Sequence, residues 1–506
     1  LGTTTVTGTM DLTSNGSGDV TIDNATSDIV LIASEIGGNL TLTSGAAAGI
    51  TDTGTVTVAG NLVATTDANN GVINLGTTAV TGTVALTTNG SGNGTFDNGT
   101  TALKIAASSI GGNLTVTSGD SITDSGVITV AGTASFTTDI SDKPITLNNQ
   151  NAITGQVTFD TTGTGGDVTF DNGTTAINLG VVSGGDIGGD LTLLIDADQT
   201  ISNAITGQVT FDTTSTGGDV VFDNGITAIN LGVVSGGDIG GDLTLLTDAD
   251  QTISNAITLN GSGADLSITV DNANSLTIQA ALTTNAGDIT LSADDDVIFT
   301  AAGDLTSGNG NITVKADDDS TSDAGSGGVL TMVDGTIFNA GSGTITGTSD
   351  EDTTLGQMTT TNTTSTAITL NTKSGNILDG GDTNEDLTAA SGTVDVTTGG
   401  GTFGTTANDI EITSAAITKT GVPVTVVTST SEETLSGTTE TVGEASVDQT
   451  INIVENLIGS VEQGNQIVAG NSGSTVSAGV NTNQPGSGPF IVDVYSESYE
   501  LVKTEV

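Results

Sequence analysis

Asn151–Phe170 reads NAITGQVTFDTTGTGGDVTF, and nearly the same twenty letters return from Asn203. The copy runs for 52 residues, with differences only at Gly163/Ser215, Thr169/Val221, Thr174/Ile226 and Ile195/Thr247. A catalytic centre needs its reactive residues once, whereas a scaffold needs length. Within the repeated text, QVTFD, DVTFD, AINLG and DLTLL place apolar residues at every second position, the period of a strand with one face in and one face out. Gly, Asn and Asp punctuate these runs, as turns that need positive φ require.

Repetition reaches to the start of the chain. LGTTTVTGTMDLTSNGSG from Leu1 is answered by LGTTAVTGTVALTTNGSG from Leu75, a shift of 74 residues. The pair Asp23-Asn24 recurs as Asp97-Asn98, Asp171-Asn172 and Asp223-Asn224, with spacings of 74, 74 and 52. The two unit lengths differ by 22 residues, and shorter echoes step by 23: Val168 to Leu191, Val220 to Leu243, and GDITLSADDD at 287–296 to GNITVKADDD at 310–319. A unit that grows or shrinks by one quantum of 22–23 residues is the mark of a solenoid, where one coil is the smallest insertion that keeps neighbours in register. The spacing predicts an all-β fold, a parallel β-helix over residues 1–420 with Val, Ile, Leu and Phe inside and Thr, Ser and Asp facing water. With ~18 coils at ~4.8 Å each, such a rod is roughly 90 Å long. An array of β-sandwich domains accommodates a 22-residue difference poorly.

Composition bounds the chemistry. The 506 residues include 73 glycines, 2% aromatics, and 59 Asp and Glu against six Lys and Arg, a net charge of −53. Such a surface repels phosphate, which excludes nucleic acid as the expected partner and opposes anionic membranes. There is no Cys, His, Trp or Arg, so disulfides, thiolate and imidazole chemistry and guanidinium clamps are unavailable. No apolar run is long enough to span a membrane as a helix, and no membrane insertion is expected. The chain begins inside a repeat at Leu1, as a mature or excised piece would. No phosphate-binding loop or nucleophile elbow is present, and the repeated Asp residues sit in turns at coil spacing rather than in one unique cluster. An enzyme is therefore not expected.

The pattern changes near Lys419. Residues 421–445 read as an extended connector. In 446–468, Val447, Ile451, Val454, Ile458 and Val461 step by four and three behind a Ser446/Gln449 capping box, which predicts an amphipathic helix closing the end of the core. Residues 469–489 read as a Gly/Ser/Asn linker and 490–506 as a strand-like tail. Within the tail, Phe490, Val492, Val494 and Tyr495 are the candidate assembly residues, able to add a strand to a neighbour.

Two further motifs bear on binding. A 23-residue coil stacks Asp294, Asp295 and Asp296 over Asp317, Asp318 and Asp319. Carboxylates ~5 Å apart repel by about 1 kcal/mol in water, and a bound Ca²⁺ would turn that into a gain. These six residues are the candidate metal site and Ca²⁺ the candidate ion; no other cofactor is required. Thr-x-Thr pairs such as Thr41/Thr43 and Thr115/Thr117 have the look of a flat ice-binding array, but in the sequence they do not recur on every coil, and Thr is also an ordinary exposed strand-former.

Coils such as GDITLSADDDVIFTAAGDLTSGNGNITVKADDD resemble the repeat region of filamentous-haemagglutinin-like adhesins and related repetitive surface proteins of bacteria, over roughly residues 1–420. The secretion domain that opens such proteins is absent here. The resemblance implies a right-handed parallel β-helix exported to the bacterial cell surface. The expected function is an extracellular structural subunit, a β-solenoid that associates head to tail with copies of itself into a fibre. The alternatives are a rigid adhesin arm that attaches to host or neighbouring-cell glycans and, more remotely, a polysaccharide-active β-helix enzyme.

Overall fold

The computed structural model describes residues 3–163, 165–180, 187–194, 199–202, 205, 207–213, 218–236, 238–317, 327–381, 384–405 and 410–422, and beyond these the strands at 433–435, 439–443, 467–471, 474–480, 492–495 and 501–505. Among these residues the fold is an all-β parallel solenoid without helix. It divides into two units, Leu1–Thr247 and Asp248–Val506.

In the first unit, Val20–Asp23, Leu40–Ser44, Leu62–Asn69 and Thr83–Asn89 pair in parallel, each one coil beyond the last. A second sheet carries Ile29–Leu31, Ile50–Asp52, Ile73–Leu75, Gly94–Asp97, Leu114–Ser118, Ala134–Thr138 and Val157–Thr161. The expected 23-residue step is the coil: Val168 pairs with Leu191, Val220 with Leu243, and in the second unit Ile289 with Ile312. Coil length is nevertheless not constant. Leu191 to Val209 closes in 18 residues, Val20 to Leu40 in 20, and Ile312 to Ile345 needs 33. The strands keep register because the inward residues must stack, and the turns absorb the difference.

The sequence repeat and the coil are out of phase. Three coils carry Val20 to Leu40, Leu62 and Val84, which leaves ten residues before Gly94, the counterpart of Val20 one repeat later. Each 74-residue copy therefore starts on the other sheet. Leu40–Ser44 lies in the 13-stranded sheet and its copy Leu114–Ser118 in the 8-stranded one, while Ile29–Leu31 and Leu103–Ile105 exchange in the opposite sense. The 52-residue repeat does the same with Val157 and Val209. At the switch a glycine replaces the valine: a Cβ on Gly94 would meet Ile110 Cδ1 at 3.1 Å and Leu114 Cδ1 at 3.3 Å.

Alternation sets the core. Strands such as Leu40–Ser44 and Leu266–Val270 bury every second residue, and each fully buried Ile, Leu or Phe contributes about 1.5–3 kcal/mol. Phenylalanines stack along it: Phe136 on Phe159 at 5.9 Å, Phe159 edge-on to Phe170 at 5.2 Å, and Phe299 against Phe338 at 4.8 Å. One sequence expectation needs correction, since hydroxyls do not all face water. Thr66, Thr88 and Thr161 point inward at strand ends and donate to the carbonyls of Gly71, Gly92 and Gly166 at 3.0, 2.7 and 2.7 Å. Thr284, Ser307 and Thr372 do the same to Gly287, Gly310 and Gly375. A short hydroxyl satisfies a turn carbonyl that would otherwise be buried without a partner.

Parallel pairing passes the expected boundary at 420. Ile410–Thr420 pairs with Glu433–Leu435 and Thr439–Gly443 inside the span read as connector, and Thr439–Gly443 pairs with Ile467–Asn471. Residues 446–466 of the expected helix lie outside the described residues; Ile467 and Val468, its last two, are strand. Ile467–Asn471 and Ser474–Val480 form an antiparallel pair that, from residue 469 on, lies within the span read as linker. Short Thr- and Val-bearing segments there have enough β propensity to pair despite their glycines.

Candidate functional site

A recurring set of acidic and amide side chains at the corners holds one coil to the next. Asp19 Oδ1 accepts the amide of Asn39, Asn39 Oδ1 that of Asn61, and Asn61 Oδ1 that of Thr83, each at 2.8 Å. In the second unit Asp265 Oδ1 takes the Asp288 amide, Asp288 that of Asn311, and Asn311 that of Thr344, at 2.7, 2.7 and 3.0 Å. Asp352 and Asn376 continue the device to Asn376 and Thr402. Each of these residues immediately precedes a strand, so its side chain extends the backbone ladder by one bond. Such a bond contributes about 1 kcal/mol, and more when the acceptor is a carboxylate. The preceding glycine follows from the same geometry: a Cβ on Gly60 would lie 2.6 Å from Asn39 Oδ1, and one on Gly82 2.4 Å from Asn61 Oδ1.

The recurring Asp-Asn pairs form a second kind of corner. Asn24, Asn98, Asn172 and Asn224 are wholly buried. Asn98 Nδ2 donates to the carbonyls of Val80, Thr101 and Ala102 at 3.1, 3.1 and 3.0 Å, and its Oδ1 accepts the Val80 amide at 2.7 Å. Asn172 and Asn224 repeat this with Ile153 and Ile205. The aspartate before each accepts the amide two residues on: Asp97 from Gly99, Asp171 from Gly173 and Asp223 from Gly225, at 2.8, 2.7 and 3.0 Å. The repeat was visible in the sequence; its burial was not.

Of the expected metal site, the described aspartates each have separate partners. Asp294 Oδ2 accepts the Asn272 amide at 2.7 Å, Asp295 Oδ2 the Ser275 hydroxyl at 2.9 Å, and Asp296 Oδ1 the amides of Gly328 and Val329 at 3.0 Å. Asp318 and Asp319 lie outside the described residues. Among the described residues no three carboxylates converge as metal ligands, and this part of the set does not fit the six to eight oxygens that Ca²⁺ takes. Asp317 instead meets a lysine. Lys373 Nζ lies 3.1 Å from Asp317 Oδ2 and 3.6 Å from Asp350 Oδ1. The hydrogen bond to Asp317 is the main reason its pKa is raised, desolvation acting the other way. The residue that sequence reasoning missed had a signal. Asp294, Asp317, Asp350 and Lys373 each stand five places after Ile289, Ile312, Ile345 and Ile368, which stack in register on four consecutive coils.

Outward threonines also stack. Thr123, Thr146, Thr169, Thr192 and Thr210 occupy one position on consecutive coils of the first unit. On its other sheet Thr95, Thr115, Ser135 and Thr158 form a similar file. Hydroxyls in single file on both sheets fit strand-forming surface residues rather than one flat recognition face.

Of the candidate assembly residues, Phe490 lies outside the described residues. Val492–Tyr495 is a strand paired on both edges within the chain, with Ser474–Val480 on one side and Leu501–Glu505 on the other. Inside the first unit, an apolar void of about 10 Å³ is lined by Val84, Phe96, Leu103 and Leu114, among others, next to the sheet switch. That is room for about one water, in surroundings that offer it little to bond.

Residues 17–87 and 91–160 each match a family model described as repeats of unknown function (DUF5649), the two matches standing one 74-residue repeat apart. No curated protein and no solved structure matches the chain.

Proposed function

We propose that the chain is a non-enzymatic structural protein of the cell exterior, a length of β-solenoid whose coils associate head to tail with copies of itself into a surface or matrix fibre. The observation that carries this reading is the corner ladder. Asp19, Asp265, Asp288 and Asp352 are engaged in holding the following coil, so carboxylates that could serve chemistry serve cohesion. Much of the coil-to-coil contact among the described residues is generic, a parallel backbone ladder with side-chain acceptors recurring at the corners. A coil of another molecule presents the same donors and acceptors, which makes end-to-end addition chemically equivalent to adding one more coil. Strand donation by 492–495 is the less favoured route, because both edges of that strand are paired within the chain.

Electron cryo-microscopy of the purified chain, over a concentration series and with and without a chelator, tests the proposal. Filaments with a ~4.8 Å layer line are the expected result, and their loss on chelation would add structural calcium to the reading. Separate particles at every concentration would overturn the fibre. If such particles bound cells or glycans, the adhesin-arm reading would replace it.

A further inference from the structure

Asparagine followed by glycine is the chemically weakest dipeptide of a long-lived chain, and this fold sorts its Asn-Gly pairs into two classes. In the Asp-Asn-Gly corners both reacting groups are blocked. The glycine amide is held by the aspartate before it, as Gly99 is by Asp97 and Gly173 by Asp171. The leaving amide nitrogen, Nδ2 of Asn98 or Asn172, donates three hydrogen bonds to buried carbonyls. At Asn70, Asn93 and Asn309 the following glycine amide is bonded to a backbone carbonyl, of Ala68, Asn113 and Ser307 respectively. Of the three Asn-Gly-Ser-Gly segments, the one at 260–263 begins inside the strand Ile257–Ser262, and the turns at 15–18 and 89–92 differ. Asn15 and Asn89 are exposed, and Gly16 and Gly90 have φ of 62° and 64°. The Gly90 amide donates to Oδ1 of its own neighbour Asn89, at 2.8 Å, and Asn89 Nδ2 makes one exposed hydrogen bond, to the Asp67 carbonyl at 3.1 Å, against three in the corners, so the nucleophile already stands against the carbonyl it would attack.

We propose that Asn89, and its repeat counterpart Asn15, are sites of spontaneous deamidation, while Asn98, Asn172 and Asn224 are protected by the fold. The Gly90 nitrogen loses its proton to base and bonds to Asn89 Cγ. The Cγ–Nδ2 bond breaks and the side-chain nitrogen leaves as ammonia. Water then opens the ring at either carbonyl, giving aspartate or isoaspartate and one more negative charge. No oxidant or enzyme is needed. Protection of the corners matters to the solenoid, because the same change at Asn98 would put a carboxylate where three buried carbonyls need donors.

The test is peptide mapping by mass spectrometry of the full chain aged in mildly alkaline buffer, with the chain unfolded in denaturant as control. In the folded chain Asn89 and Asn15 are expected to convert at least about tenfold faster than Asn98, Asn172 and Asn224, the scale on which a preset geometry acts. In denaturant the difference should vanish. Asp97→Ala should raise conversion at Asn98, and Asn89→Gln should abolish it at 89. Equal rates at Asn89 and Asn98 in the folded chain would overturn the proposal. So would a folded chain in which Asn15 and Asn89 are as inert as the corners while the unfolded chain converts.

Discussion

Lys373 reaches back across two coils to Asp317, Nζ to Oδ2 at 3.1 Å, with Asp350 of the intervening coil 3.6 Å away. A column of aspartates that calls for a positive charge thus has one of the chain's few lysines built into it.

Replacing that lysine should expose the demand. Lys373→Met is expected to lower stability by no more than about 1 kcal/mol, because the lysine side chain is about half exposed and solvent screens the pair. The variant should also gain a rise in melting temperature on adding Ca²⁺ that the parent lacks. Thermal melts with and without the ion check this, and an equal rise in the parent would return calcium to the native column.

The same pair fixes a direction with pH. The Lys373 pKa is raised above its ordinary 10.5, so its stabilisation is fully present below 10.5 and is lost as pH rises through the higher folded value. At the acid end, Asp120 is lowered from 3.8 by the Ser121 amide and Lys143. Its contribution is present above 3.8 and is lost as pH falls through the lower folded value. Stability measured against pH should fall more steeply at the alkaline end in the parent than in Lys373→Met.

Asp395 should behave in the opposite sense. It stands on the outer face between Thr369 and Thr418, and desolvation raises its pKa. Asp395→Asn is expected to stabilise slightly at neutral pH, by less than about 1 kcal/mol at a site solvent still partly screens. The gain should shrink to nothing in acid, where the native carboxyl is itself neutral. Paired denaturation curves at the two pH values measure it.

The buried corners should be far less tolerant. Asn98→Ala removes a side chain that satisfies three carbonyls and one amide, and each group left buried without a partner costs about 1–3 kcal/mol. Because a solenoid's stability is local, a global melt would dilute the effect. Hydrogen exchange should show lost protection at Val80 and its neighbouring coils, with distant coils unchanged.

Phe159 stands between Phe136 and Phe170. Phe159→Ala should cost about 3–5 kcal/mol and loosen exchange on both sheets that meet there, whereas Phe159→Leu should cost much less. Equal effects of the two would mean that the ring contacts, and not the filled volume, carry the cost.

The coil was legible because its signal is the strongest a sequence carries: strict alternation repeated at a fixed step, as in Val168/Leu191 and Ile289/Ile312. What escaped was whatever depends on where a turn places its side chain. Thr66 and Thr65 are adjacent letters of the same kind, yet one is buried against Gly71 and the other faces outward. Asn98 looks like any turn asparagine until its burial is known. Lys373 was hidden by distance, since a partner two coils away is 56 residues off in sequence. The partners of Asp294, Asp295 and Asp296 were hidden for a related reason, since the amides and hydroxyl they accept from lie on neighbouring coils.

The mismatch between repeat and coil bears on how such a chain can lengthen. A block duplicated in the gene is threaded onto the opposite wall from its parent, so the text must suit both walls before it can be copied at all. Any wall-specific patch would be inherited facing the wrong way, and purifying selection would erase it or the duplication. Growth by this route keeps the surface generic, and it confines novelty to insertions within single turns, such as the one that stretches the coil between Ile312 and Ile345 to 33 residues.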